Sequence, residues 1–152
     1  MSEILQNQTL EAEHLFCFRG KVTNQELEEV GRDMDMVIRE AGAKRVSFPI
    51  TATYGMDNGK MDVELLLPVD RRMDDVKEYR YKEQLKIVNA VVARHNGNPG
   101  YLPQTCSELN QYITDKELTP ITVGYSVPKK ADAFDIENSI IDVYVGISSN
   151  IL

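Results

Sequence analysis

The sequence predicts an α+β fold: duplicated β-α-β-β units forming one mainly antiparallel sheet with two helices on one face. Several runs of strand-forming residues alternate in polarity with a period of two. Two other stretches carry apolar residues at the three- and four-residue spacing of an amphipathic helix. The same order of elements occurs twice, over about residues 9–70 and 84–148. We therefore expect one domain, residues 1–152, made of two pseudo-repeats.

The first pseudo-repeat is predicted to run strand, helix, strand, strand. Thr23 and Glu26 have the spacing of a capping box, in which the two side chains satisfy free N–H groups of the first helical turn. Asn58 and Gly59 supply the turn of a hairpin, since both residues tolerate a positive φ. The predicted elements are a strand over 9–22, a helix over 24–41, and strands over 46–54 and 61–69.

The second pseudo-repeat is predicted to repeat this order. Pro103 suits the first turn of a helix, where its missing N–H costs little. Residues 49–54 and 120–125 agree at four of six positions, which favours a duplication, although convergence on good strand sequence is the alternative. Residues 128–138 are predicted to be a connection. The predicted elements are a strand over 84–94, a helix over 102–115, and strands over 119–127 and 139–147.

The apolar positions of both helices and both closing strands are predicted to form the core. In the closing strands they alternate with polar positions, so they share one face. In the helices they recur on one stripe. The predicted core is Leu27, Val30, Met34, Ile38, Val63, Leu65, Leu67, Leu109, Ile113, Val143, Val145 and Ile147.

Two acidic residues occupy equivalent places in the two closing strands. Glu64 and Asp142 each alternate with apolar residues, so both are expected to face away from the helices. An acid on the open face of an antiparallel sheet is often simply solvated, whereas two acids at matching positions also suit a ligand cleft between the pseudo-repeats. The residues predicted to border that cleft are Glu64, Asp142, Tyr54, Tyr101, Tyr125 and Tyr144.

Composition excludes several partners. The chain has 152 residues and a net charge of -7, so it lacks the basic field that a nucleic-acid-binding protein requires. Residues 71–96 carry seven basic and four acidic side chains, which we interpret as a solvated connector rather than a nucleic-acid contact. No apolar run approaches the ~20 residues of a membrane span. The N-terminus lacks the basic start and apolar core of a secretory signal, so we expect a cytoplasmic location and no membrane partner.

The sequence contains none of the common cofactor or metal motifs. Its cysteines, Cys17 and Cys106, are far apart and form no Cys-x-x-Cys pair. Its histidines, His14 and His95, have no acid at metal-site spacing. Nucleophile-elbow, phosphate-loop and dinucleotide-turn motifs are also absent from the sequence. We expect no metal and no cofactor, and nothing in the sequence specifies an oligomeric state.

Short motifs along nearly the whole chain resemble one family. Residues 62–69 read DVELLLPV, and residues 142–147 read DVYVGI. Between them lie a His-Asn-Gly at 95–97 and two Gly-Tyr pairs at 100–101 and 124–125. These motifs resemble the GyrI-like family, the effector-binding domains of bacterial multidrug-responsive regulators and of stand-alone small-molecule-binding proteins.

The resemblance implies a concave cleft lined by aromatic rings and acids, which takes cationic, amphipathic organic compounds. Ring faces attract cations, and a carboxylate in a partly dry cleft adds Coulomb attraction. Asp142 stands where the family usually has Glu, and Gly146 where it has Pro, so the shorter acid reaches less far into such a cleft. The sequence starts on its first predicted strand, so we expect a stand-alone binding protein.

Two alternatives remain open at this stage. The sequence also resembles small proteins encoded beside LXG-type secreted toxins in Gram-positive bacteria, which would imply a protein partner in secretion. Some GyrI-like proteins resemble hydrolases that pair a Glu with a Tyr. Here Glu64 or Asp142 with Tyr101 or Tyr125 would be such a pair, provided that one acid has the reach of a general base.

Overall fold

The computed structural model describes residues 2–131 and 134–148, and the fold is α+β with antiparallel strands. The predicted element order is confirmed, and both helices lie where they were predicted, the first ending one residue earlier. The elements are β1 (Glu3–Val22), α1 (Asn24–Glu40), β2 (Ile50–Asp57), β3 (Lys60–Pro68), β4 (Arg80–Asn96), α2 (Leu102–Asp115), β5 (Tyr125–Lys130) and β6 (Ile140–Gly146).

The chain divides into two compact units. The α1 unit is Glu11–Leu85, and the α2 unit combines Met1–Leu10 with Lys86–Leu152. The strands β1 and β4 run through both units, so each strand contributes one part to each unit. The pseudo-repeats, the single sheet and the placement of both helices on one face stay predictions.

In the α1 unit, β3 is the middle strand and pairs antiparallel with both β1 and β2. One face of β3 packs under α1, because alternate residues Val63, Leu65 and Leu67 are buried in one cluster with Met34 and Ile38 of the helix. Tyr79, Phe16 and Phe18 join this cluster through edge-to-face ring contacts. The predicted core positions of this unit are therefore confirmed, with Leu27 and Val30 only partly buried at its margin.

The capping box that begins α1 is formed as predicted. The Glu26 N–H donates to the Thr23 hydroxyl oxygen at 3.1 Å, and the Thr23 N–H donates to the Glu26 carboxylate at 3.0 Å. The hydrogen bond from the Thr23 backbone lowers the pKa of Glu26. Two N–H groups of the helix start are thus satisfied.

Replacing Thr23 with alanine should lower the free energy of unfolding by about 1 kcal/mol, the usual cost of losing an N-cap. Urea denaturation followed by circular dichroism measures this loss. Thr114→Ala is the control, because the Thr114 hydroxyl donates to the Asn110 carbonyl within α2 and caps no helix start. An equal loss for both variants would contradict a capping role.

In the α2 unit, β6 is the middle strand and pairs antiparallel with β4 and β5. Val143, Val145 and Ile147 are buried against Leu109 and Ile113 of α2, as predicted. The residues between them on β6 face the other side, because strand side chains alternate. The second core also takes Val91 and Ala93 from β4.

Four strands have clearly different boundaries from the prediction. β2 covers Ile50–Asp57, whereas 46–54 was predicted, and β4 covers Arg80–Asn96, whereas 84–94 was predicted. The largest differences are in β1 and β5. β1 begins at Glu3, not at residue 9, and its first residues are mostly exposed, so no alternation of apolar residues marks them. β5 covers Tyr125–Lys130, whereas 119–127 was predicted. Pro120 forms only an isolated bridge to Ile147. β5 continues past Pro128 because a register shift between Pro128 and Lys130 accommodates the proline.

None of the helices within residues 2–131 and 134–148 combines the length and the apolar character needed to cross a membrane.

Candidate functional site

A cavity of about 350 Å³ lies in the α2 unit, on the face of β6 opposite its core residues. Asp142 and Tyr144 both line it, as expected for residues two apart on one strand. The wall combines apolar and charged groups from β1, β4, β5 and β6. The lining residues include Glu3, Leu5, Val92, Arg94, Lys129, Asp142 and Tyr144.

Asp142 is buried and paired with a guanidinium. It lies directly opposite Arg94 in the ladder between β6 and β4. Arg94 Nε and Nη2 donate to the two carboxylate oxygens at 2.8 and 2.9 Å. The Asp142 side chain is 5% exposed and that of Arg94 44%. The hydrogen bonds to Asp142 raise the pKa of Arg94. The bidentate contact places one buried carboxyl group and one half-exposed guanidinium at the wall.

The ring of Tyr144 is the aromatic surface of this cavity, and a lysine ammonium lies over it. Lys129 Nζ is 5.7 Å from the ring centroid, within cation–π range. Lys129 is the extra residue at the register shift between Pro128 and Lys130. An extra residue of this kind changes the direction in which its side chain points, which explains how Lys129 comes to lie over Tyr144.

The α1 unit contains a matching cluster around Glu64, also on its middle strand. The Tyr54 hydroxyl donates to Glu64 Oε1 at 3.2 Å, and Lys82 Nζ donates to Oε2 at 2.5 Å. The Arg19 guanidinium lies 3.6 Å from the Tyr54 ring centroid and makes two hydrogen bonds to Asp62. Tyr54 lies at a register shift of β2, as Lys129 does in β5. Each unit therefore combines one buried acid with a tyrosine and two cations.

Both acids are buried, so the interpretation that they are merely solvated is wrong. Glu64 is 6% exposed and Asp142 4%, because each lies on a middle strand with a basic residue beside it. Sequence reasoning missed those basic residues, Lys82, Arg94 and Lys129. The only signal for Lys82 and Arg94 was the basic character of residues 71–96, and Lys129 lies outside that segment. The strand register that places Arg94 opposite Asp142 is not visible in sequence.

The tyrosines predicted for the cleft fall in different places. Tyr54 contacts Glu64, and Tyr144 lines the cavity with Asp142. Tyr125 is the ladder partner of Tyr144. Tyr101 is 64% exposed and lines a second cavity, with Thr105 and His95. The prediction that all six residues border one cleft stays a prediction.

The thiols offer no reactive group, because burial raises the pKa of Cys17 to about 12 and also raises that of Cys106. Among the described residues, no group of three or more His, Cys, Asp or Glu side chains is arranged to hold a metal ion.

No family model matches the sequence, and no curated protein matches it. Solved structures do match. The C-terminal domain of EcmrR has a TM-score of 0.82 at 13% identity, covering 97% of this chain and 98% of that domain. In an EcmrR–DNA complex the match has a TM-score of 0.81 at 14% identity and covers 97% of this chain and 57% of the EcmrR chain. The chain thus spans little more than half of that EcmrR chain.

Two further structures are similar at lower scores. SAV2435 bound to tetraphenylphosphonium has a TM-score of 0.55 at 12% identity, covering 98% of this chain and 94% of that one. A hydrolase from Listeria innocua has a TM-score of 0.60 at 12% identity, covering 97% of this chain and 91% of the hydrolase chain. At such identities the likeness shows the fold alone, and it is consistent with the resemblance to GyrI-like effector-binding domains.

Proposed function

We propose that the chain binds small organic molecules, and that the ligand occupies the cavity of the α2 unit beside Tyr144. The observation that carries this proposal is the cavity itself. A space of about 350 Å³ is in the size range of small-molecule sites. Apolar contacts with Leu5 and Val92 and one aromatic face are available in it, and the Asp142–Arg94 pair supplies fixed polar groups.

The proposed ligand class is an amphipathic organic cation. The face of Tyr144 already takes a cation, the Lys129 ammonium, and the carboxylates of Glu3 and Asp142 also line the cavity. A ligand cation would replace Lys129 over the ring and leave Lys129 to solvent. SAV2435, which shares the fold, was solved with such a cation, tetraphenylphosphonium. Because Arg94 and Lys129 add positive charge to the wall, affinity depends on how readily Lys129 leaves the ring.

Lys129 therefore provides the sharpest test. In Lys129→Gln the resident cation is removed and the ring face becomes open. We expect this variant to bind tetraphenylphosphonium about threefold to tenfold more tightly than the unsubstituted chain, the range of one cation–π contact. Neutral triphenylphosphine oxide should bind more weakly than the cation and should respond less to the substitution. Isothermal titration calorimetry measures both affinities.

Lys116→Gln is the matched control, because Lys116 lies 5.8 Å from the ring centroid of Tyr112 and neither residue lines the cavity. It should leave both affinities unchanged. Equal binding of the cation and the neutral compound, unaffected by Lys129→Gln, would reject a cation site. Failure of the unsubstituted chain and of Lys129→Gln to bind either compound would reject the proposed ligand class.

A further inference from the structure

The α2 unit contains a second cavity, of about 220 Å³, whose chemistry the proposed ligand site does not use. Its lining is largely polar and includes His95 and Thr105, which are only 7% and 3% exposed. Arg94 lines this cavity as well as the first. A buried histidine bonded to a buried hydroxyl is an arrangement that activates nucleophiles, so the direction of each hydrogen bond matters.

The contacts of His95 fix its tautomer. Nε2 lies 2.8 Å from the carbonyl oxygen of Asn98, and a carbonyl can only accept, so Nε2 carries a hydrogen. In the neutral ring Nδ1 is then an acceptor. The Thr105 hydroxyl, 2.7 Å from Nδ1, must therefore donate to it. His95 is a base whose orientation is held by the Asn98 carbonyl.

Ser2 extends this chain by one hydroxyl. Ser2 Oγ is 3.1 Å from Thr105 Oγ1. Because the Thr105 hydrogen points to His95, Ser2 is the donor to Thr105. The Ser2 backbone N–H donates to Glu108 at 2.9 Å, which holds Ser2 against α2. A side-chain hydrogen bond from Ser2 is the main cause that lowers the pKa of Glu108, so the Ser2 hydroxyl has two acceptors, Glu108 and Thr105. When the Ser2 hydrogen points to Thr105, the hydrogen bonds run in one direction from the Ser2 hydroxyl to the His95 ring.

We propose that Ser2 is an acyl-accepting nucleophile and that Thr105 relays its proton to His95. Ser2 Oγ attacks the carbonyl carbon of a small ester. Its proton passes to Thr105 Oγ1 while the Thr105 proton passes to His95 Nδ1. The bond to the leaving alkoxide breaks, and the imidazolium returns the proton to that alkoxide through the Thr105 hydroxyl. Water then attacks the acyl-serine, giving up its proton by the same route, and the proton returns to Ser2 Oγ as the carboxylic acid leaves.

Exposure and cavity size define the reactive atom and the substrate. Ser2 is partly exposed, whereas Thr105 is buried, so a substrate reaches Ser2 first. A volume of about 220 Å³ admits short acyl groups only. The side chains of Gln104, Asn96 and Arg94 line the same cavity and are the N–H donors available to the developing oxyanion.

The test is covalent labelling of the full chain with a small alkyl fluorophosphonate, followed by peptide mass spectrometry. We expect labelling at Ser2 and none at Ser107, an exposed serine on α2 that serves as the internal control. Thr105→Val should slow labelling of Ser2 about 100-fold, the lower range of general-base effects. Thr105→Ser keeps the hydroxyl and should restore a rate within a few fold of the original.

The rescue separates a proton relay from a packing role, because valine preserves the volume of Thr105 and serine preserves its hydroxyl. Circular dichroism shows whether each variant is folded. If Thr105→Val does not fold, the rate of Ser2 labelling in His95→Gln is compared with that in the original chain. Labelling of Ser2 no faster than that of Ser107 would overturn the proposal. Equal labelling in the original chain and in a folded Thr105→Val or His95→Gln would also overturn it.

Discussion

Replacing Arg94 with methionine is expected to lower the free energy of unfolding by about 2–3 kcal/mol. The substitution leaves the Asp142 carboxylate, 5% exposed, without the guanidinium that donates to both of its oxygens. Removing one member of a fully buried pair costs ~3–5 kcal/mol. We expect less here, because the Arg94 side chain is 44% exposed and its own desolvation is small.

The matched control is Arg71→Met. Arg71 also makes two hydrogen bonds to one carboxylate, that of Asp70, but both side chains are more exposed than Asp142. Exposed ion pairs contribute little to stability. The urea concentration at the unfolding midpoint of Arg71→Met should therefore be close to that of the unsubstituted chain. Urea denaturation at pH 7 gives the comparison. A similar loss in both variants would show that burial of Asp142 does not govern the effect.

Replacing Leu65 with alanine is expected to lower the free energy of unfolding by about 2–5 kcal/mol, the range for large-to-small changes in a core. Leu65 is 6% exposed and lies on β3, between Phe18 of β1 and Thr51 of β2. The substitution leaves a cavity under α1 that the paired strands on both sides prevent from collapsing.

Met56→Ala is the control for Leu65→Ala, because Met56 is 68% exposed near the tip of the β2–β3 hairpin. Met56→Ala should lower the free energy of unfolding by much less than Leu65→Ala does. Chemical denaturation followed by far-ultraviolet circular dichroism measures both. A loss under ~1 kcal/mol for Leu65→Ala would contradict the assignment of this β3 face to the core.

The helices and the core were predictable because their signals are local. The capping box at Thr23 and the apolar spacing of Met34 and Ile38 lie within one turn or a few turns of sequence. The alternation of side chains in β6 is also a local signal, and it places Val143 and Val145 on the opposite strand face from Asp142. Each of these assignments needs only neighbouring residues, and the structure confirms them.

The charges at the site were not predictable because their partners are distant in sequence. Arg94 meets Asp142 through the register of β4 and β6, and a shift of one residue would place it on the other face. Lys129 lies over Tyr144 at an irregularity of β5. The first residues of β1 were missed because exposed polar residues give no alternation. The alternation therefore separated the two acids from the apolar face of their strands, but it did not show that cations accompany them.

The most direct measurement of the proposed ligand site is a titration of isotope-labelled protein with tetraphenylphosphonium, followed by nuclear magnetic resonance. The account predicts saturable shifts at Leu5, Val92 and Tyr144, which line the cavity, with little change at Met56 on the β2–β3 hairpin. Shifts that leave Leu5, Val92 and Tyr144 unchanged at saturating ligand would contradict it.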